Sequence, residues 1–129
     1  MPERSSDWFR QGEYDLSHAK KSLEFGDYEW ACFAAHQAVE KVLKAVYQKN
    51  NRSVRGHSIV GLLQGLEDLF DIPGLFPSYA RILSRYYIET RYPNGFPEGA
   101  PKDYFDEKIA QEALDAAEEI FEWCRDTIG

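Results

Sequence analysis

The chain has 129 residues, with 15 Lys and Arg against 22 Asp and Glu for a net charge of −7, and a mean hydropathy of −0.55. Its 43% hydrophobic and 15% aromatic content excludes a disordered polymer, and its longest apolar run, residues 30–35, is far short of the roughly 20 residues a membrane helix needs. A single soluble domain over residues 1–129 is expected, burying a core as its surface shrinks from about 22,000 to about 7,000 Å².

The hydrophobic periodicity is helical almost throughout and predicts five helices. The first covers about residues 7–25, with Ser5 or Ser6 as cap and Gly26 as a left-handed stop. Its stripe is Trp8, Gly12, Leu16, Ala19 and Leu23. The second covers about residues 28–49 behind Asp27. Its first half, from Tyr28 to Ala35, is apolar nearly all round, as in a helix that is central or covered by a second subunit. Trp30 and Phe33 are therefore the candidates for a symmetric dimer interface.

After a polar connection, Ser58 caps a third helix carrying Ile59, Leu62, Leu63, Leu66, Leu69 and Phe70. Pro73, Gly74 and Pro77 break the chain, and Ser78 caps a fourth helix ending before Pro93. Residues 92–102 hold three prolines and two glycines, which predicts a structured non-helical loop. Asp103 caps the fifth helix, whose stripe is Phe105, Ile109, Ala113, Ala117, Ile120, Cys124 and Ile128. Mostly short connections between such helices predict an all-α, up-and-down antiparallel five-helix bundle with a Pro/Gly-rich loop before the last helix.

Cys32 and Cys124 lie far apart among apolar residues, without CxxC spacing, and read as buried thiols. Together with the lack of an apolar secretory stretch near residue 1, they suit a cytoplasmic protein. No Walker loop, HExxH or GxSxG is present. No metal site or cofactor is expected, since His18, His36 and His57 are not at ligand spacing. His18 reads as a surface residue and His36 as a core or interface one.

Charge is unevenly spread. Residues 98–129 hold ten acids and three bases, whereas residues 1–97 hold twelve of each. Lys41, Lys44, Lys49, Arg52 and Arg55 form a run without an acid, followed by Arg81, Arg85 and Arg91. A local basic patch on an acidic chain suits a selective anion site, although solvated faces produce such runs too. Arg52 and His57 stand at Arg-x4-His spacing, an arrangement used for acid–base and phosphate-holding roles. Arg85, Tyr87, Arg91 and Tyr92 cluster at the end of the fourth helix, where arginine forks can take phosphate and tyrosines can stack on bases. Packing of Tyr86 and Tyr92 in the core, with Arg85 and Arg91 paired to acids of the last helix, is the competing reading.

The segment Cys32-Phe-Ala-Ala-His-Gln-Ala-Val-Glu-Lys-Val-Leu-Lys-Ala, then His57-Ser-Ile, then Tyr87-Ile-Glu-Thr-Arg-Tyr-Pro-Asn resemble, in order, the HEPN domain (higher eukaryotes and prokaryotes nucleotide-binding). The resemblance implies a helical bundle, commonly dimeric, whose prokaryotic members partner a minimal nucleotidyltransferase in toxin–antitoxin-like modules. It implies a nucleotide- or RNA-phosphate-binding role for Arg85, Arg91, Tyr92, His57, Arg55 and Tyr87. In the branch it resembles, the fourth helix usually reads Leu-Asp-Arg/Lys-His-Tyr-Ile-Pro-Thr-Arg-Tyr-Pro-Asp. Here Ser84 replaces the Asp, Tyr86 the His, Glu89 the Pro and Asn94 the last Asp. The Arg-x4-6-His motif of ribonuclease members is thus absent from this helix, and no catalytic residue is expected. The alternatives are a metal-independent, toxin-like ribonuclease using His57, Arg85 and Arg91, and a purely structural helical interaction protein.

Overall fold

The computed structural model describes residues 3–129 and contains, among them, five α-helices and no strand: α1 Ser5–Glu24, α2 Tyr28–Lys49, α3 Ile59–Gln64, α4 Phe76–Glu89 and α5 Glu107–Ile128. Two short 3-10 turns, Pro93–Gly95 and Pro101–Tyr104, occupy the Pro/Gly-rich connection. The helix α2 is central and packs against all four others. Leu43, Val39, Val42 and Val46 from α2 are fully buried, as are Ile59, Leu83, Ile120 and Phe121 from the helices around it. Each such side chain contributes about 1.5–3 kcal/mol by leaving water.

The α1–α2 hairpin is set by small residues. A Cβ on Gly12 would stand 3.2 Å from the Ala38 carbonyl oxygen and 3.3 Å from the Phe121 ring, so any side chain here would push the neighbours apart by a few tenths of an ångström. At the turn, Gly26 takes the left-handed conformation, with φ of 81°. Its N–H donates to the Leu23 carbonyl and that of Asp27 to the Ser22 carbonyl, which satisfies the end of α1. Lys41 on α2 reaches Asp15 on α1 to tie the pair further. Cys32 and Cys124 are both buried, and burial pushes the Cys32 thiol up to about 12 and the Cys124 thiol higher still.

The element boundaries differ from expectation in four places, each for a local reason. The start of α1 has no serine cap: the Glu3 carboxylate accepts from the Ser5 N–H instead. The third helix stops at Gln64 rather than running to Phe70, and the chain continues in turns. There the Tyr47 hydroxyl donates to the Leu62 carbonyl at 2.6 Å, and a Cβ on Gly65 would lie only 2.1 Å from that hydroxyl. In α4, Leu75 rather than Ser78 occupies the capping position, and Pro77 sits in the first turn, where its missing N–H costs nothing. The cap of α5 is Asp106, whose carboxylate accepts from the Ile109 N–H at 2.9 Å. Asp103 instead closes the preceding turn by accepting from Ala100 N–H.

Candidate functional site

Between α2 and α4, with the segment preceding α3 laid across them, lies a cluster of aromatic rings, one cation and one histidine, called the cleft below. The start of α3 is pinned twice. Ser58 caps the helix by accepting from the Gly61 N–H, and the Val60 N–H donates to the Ser84 hydroxyl on α4 at 3.1 Å. This second bond gives Ser84 a role that the departure from the family pattern did not announce. It brings His57, just before the cap, against Tyr87 one turn further along α4. The two rings stack at 4.2 Å between centroids and 11° between planes.

His57 is held from α2 as well. Its Nδ1 lies 2.8 Å from Oε1 of Glu40, whose other oxygen is 3.2 Å from the Lys44 ammonium. The Glu40 side chain is 6% exposed and that of His57 50%. His36, one turn before Glu40, donates from Nε2 to the His57 backbone carbonyl at 2.8 Å. A carbonyl only accepts, so this fixes the proton on His36 Nε2. Burial pushes the His36 imidazole below its ordinary value of 6.5, which favours the neutral ring.

Arg91 lies just beyond the C-terminal end of α4. Its guanidinium donates through Nε and Nη2 to the Tyr87 carbonyl, a favourable place for a cation at a helix C-terminus. The same group lies 4.4 Å from the Phe33 ring centroid, 4.7 Å from that of Tyr87 and 5.1 Å from that of Tyr92. Three of its five N–H groups have no partner among the described residues. The cleft thus offers a half-buried, aromatic-lined cation with spare donors and a half-exposed histidine whose Nε2 has no partner among the described residues. That combination takes an anion and exchanges a hydrogen bond beside it.

The structure brings together His57, Tyr87, Arg91 and Tyr92 from the sequence-predicted set and leaves two apart. Arg85 and Arg55 are exposed and form no hydrogen bond or ion pair among the described residues. Neither Arg85 nor Arg91 pairs with an α5 carboxylate. Arg52 does not work with His57: its guanidinium is engaged bidentately by Asp68, at 2.7 and 3.1 Å. Tyr86, in the place of the family's histidine, faces the core, edge-on to Phe105, and burial pushes its phenol up to about 12. Trp30 is 50% exposed, and Phe33, 6.1 Å from it, also forms one wall of the cation site. Glu40 was not singled out from the sequence, and Lys44 stood there only as part of a basic run. Their signal was the spacing of His36, Glu40 and Lys44, four apart, a polar line along one side of α2.

Among the described residues no group of His, Cys, Asp and Glu is arranged to hold a metal, and no helix is long and apolar enough to cross a membrane. No curated protein matches the chain. Solved structures do. A protein from Thermus thermophilus is 40% identical with a TM-score of 0.94, over 98% of this chain and 99% of that one. A structure described as an archaeal HEPN homologue is 36% identical with a TM-score of 0.83, over the full length of both. A HEPN domain protein from Thermotoga maritima is 32% identical with a TM-score of 0.77, over 93% of this chain and 95% of that one. The HEPN domain model matches residues 5–127, and with these relatives it establishes that the chain belongs to the HEPN family.

Proposed function

We propose that the chain is a single-domain, cytoplasmic nucleotide- or RNA-phosphate-binding module that works as a homodimer and partners a minimal nucleotidyltransferase in a toxin–antitoxin-like system. The observation that carries this reading is Arg91, a cation packed on Phe33, Tyr87 and Tyr92 with spare donors. Phosphate is the ligand that uses both its charge and its fork, and the half-exposed Tyr92 beside it supplies a face for a base. The dimer rests on Trp30, an exposed indole on the central helix, next to Phe33. Calorimetric titration with AMP, ADP and short RNA tests the binding, and equilibrium sedimentation tests the assembly. Binding that weakens with salt, and weakens further in Arg91→Ala, supports the reading. A salt-independent Kd, or a monomer at micromolar concentration, counts against the corresponding half.

One observation favours a second reading, a metal-independent ribonuclease: His57 is backed by a carboxylate, the arrangement that orients a catalytic imidazole. RNA cleavage that persists in chelator and vanishes in His57→Ala would establish it and displace the binding-only reading.

A further inference from the structure

Glu40 is an unusual residue to bury. An ionised carboxylate in the interior is costly unless every lone pair is engaged, and an apolar residue of similar volume is often the more stable choice. Both of its oxygens are engaged here, one by the Lys44 ammonium and one by His57. Lys44 is itself buried and lies 5.6 Å from the Trp8 ring centroid, so the charge pair is anchored on the α1 side as well. Glu40, ion-paired in this way, can only accept, so His57 Nδ1 donates to it. In the neutral ring the remaining nitrogen, Nε2, is then a pure acceptor. A half-turn of the His57 ring would put a carbon in place of Nδ1 against Glu40 and lose that bond, while the ring plane is set by Tyr87 and the backbone by His36 and Ser84. Nε2 has no partner among the described residues.

We infer that Glu40 is a positioning residue that fixes the tautomer of His57 and so presents Nε2 to the cleft as an acceptor. The cleft then selects ligands that carry a hydroxyl donor next to their anionic group. Resting on the phosphate-binding reading above, this names the ligand class as a nucleotide with sugar hydroxyls. Arg91 and His57 lie against the same Tyr87 ring, and a nucleotide that reaches both offers its phosphate to the first and a sugar hydroxyl to the second. A nucleotide without sugar hydroxyls leaves Nε2 desolvated and unpaired, which is where such sites gain their discrimination.

Two measurements test this at pH 8, where an ordinary imidazole is neutral. The first needs no ligand: long-range ¹H–¹⁵N NMR of histidine-labelled protein reads the His57 tautomer. The proton is expected on Nδ1. In Glu40→Gln, the amide turns its oxygen to Lys44 and its NH2 to His57, so the proton moves to Nε2. A wild-type His57 protonated on Nε2 overturns the proposal even if the variant fails to fold. An unchanged tautomer in a folded variant overturns it too. The second is calorimetry with AMP and with 2′,3′-dideoxy-AMP. AMP is expected to bind about three- to ten-fold more tightly, with the preference lost in Glu40→Gln. Equal affinities for the wild type overturn the selection of hydroxyls. Should neither nucleotide bind while the tautomer behaves as stated, the phosphate-binding reading fails and the positioning role of Glu40 stands.

Discussion

The two long faces of α2 are built by opposite rules. Against α1, the helix is joined through glycine and small residues, and the backbones touch almost directly at Gly12. Against α4 and the segment before α3, the same helix presents Phe33, His36 and Glu40, and what fills the seam is rings, a cation and a carboxylate. The first seam is closed mainly by packing, with the Lys41–Asp15 ion pair across it. The second is closed by polar bonds, each tied to a particular partner, and leaves Arg91 and His57 with unused valence. A helix that is apolar nearly all round at one end is therefore no sign that chemistry is absent. Its polar residues further along become more consequential because they are few.

The largest expected effect tests the packed seam. Gly12→Val places two methyls where a Cβ already meets the Ala38 carbonyl and the Phe121 ring, and overpacking of this kind costs about 3 kcal/mol. Urea unfolding should show it as a lowered midpoint with an unchanged slope; a midpoint equal to that of the wild type would mean the seam is looser than described. Next comes the polar seam. Arg91→Ala should weaken AMP binding by about 1–3 kcal/mol while leaving the melting temperature within about 2 °C. Arg85→Ala, by contrast, should change affinity less than two-fold in buffers of equal ionic strength. Equal losses from both variants would erase the distinction between a seated cation and an exposed one.

A smaller effect sharpens the contrast through pH. Burial holds His36 below its ordinary value of 6.5, so the unfolded chain binds more protons than the folded one in the window just under that value. The stability tied to this ring is fully present above about pH 6.5 and is lost as pH falls through the lowered folded value. Melting temperature against pH should therefore slope down more steeply below 6.5 in the wild type than in His36→Asn. Parallel curves would show that burial does not favour the neutral ring. The smallest effect concerns Arg52. Arg52→Ala should leave nucleotide affinity unchanged, because its fork is engaged by Asp68 and not by the cleft. A large loss there would restore the Arg-x4-His pairing as a functional unit.

Much of the fold was legible because helical periodicity and the breakers Gly26, Pro73 and Pro93 are local signals. The misplaced ends were those decided by distant groups. Tyr47 on α2 and Gly65 together end α3, a contact no local pattern contains. The choice between Asp103 and Asp106 as the cap of α5 turned on three residues of loop that a 3-10 turn absorbs. Of the residues that meet in the cleft, Arg91, Tyr87 and Tyr92 stand together in the sequence, and His57 entered through its spacing to Arg52 and the family resemblance. Glu40 was not legible, since a carboxylate four residues before a lysine reads first as a surface helix pair. Its burial follows from α3 and α4 folding over α2, which is a tertiary event. Arg52 misled for the mirror reason: its spacing to His57 was suggestive, but a partner from a different turn, Asp68, claims it.

The two buried cysteines give the molecule a built-in clock. Thiol reagents act on the thiolate, and both sulfurs are shut away from solvent with their ionisation suppressed. Neither can react until the bundle parts around it, so each labelling rate measures how often its own neighbourhood opens. Cys32 lies one residue before Phe33 on the wall of the cleft, while Cys124 lies in the last turns of α5. Followed separately by mass spectrometry, the two rates compare breathing at the cleft with breathing at the far end of the bundle. A ligand seated on Arg91 would slow the first and leave the second to run at its own pace.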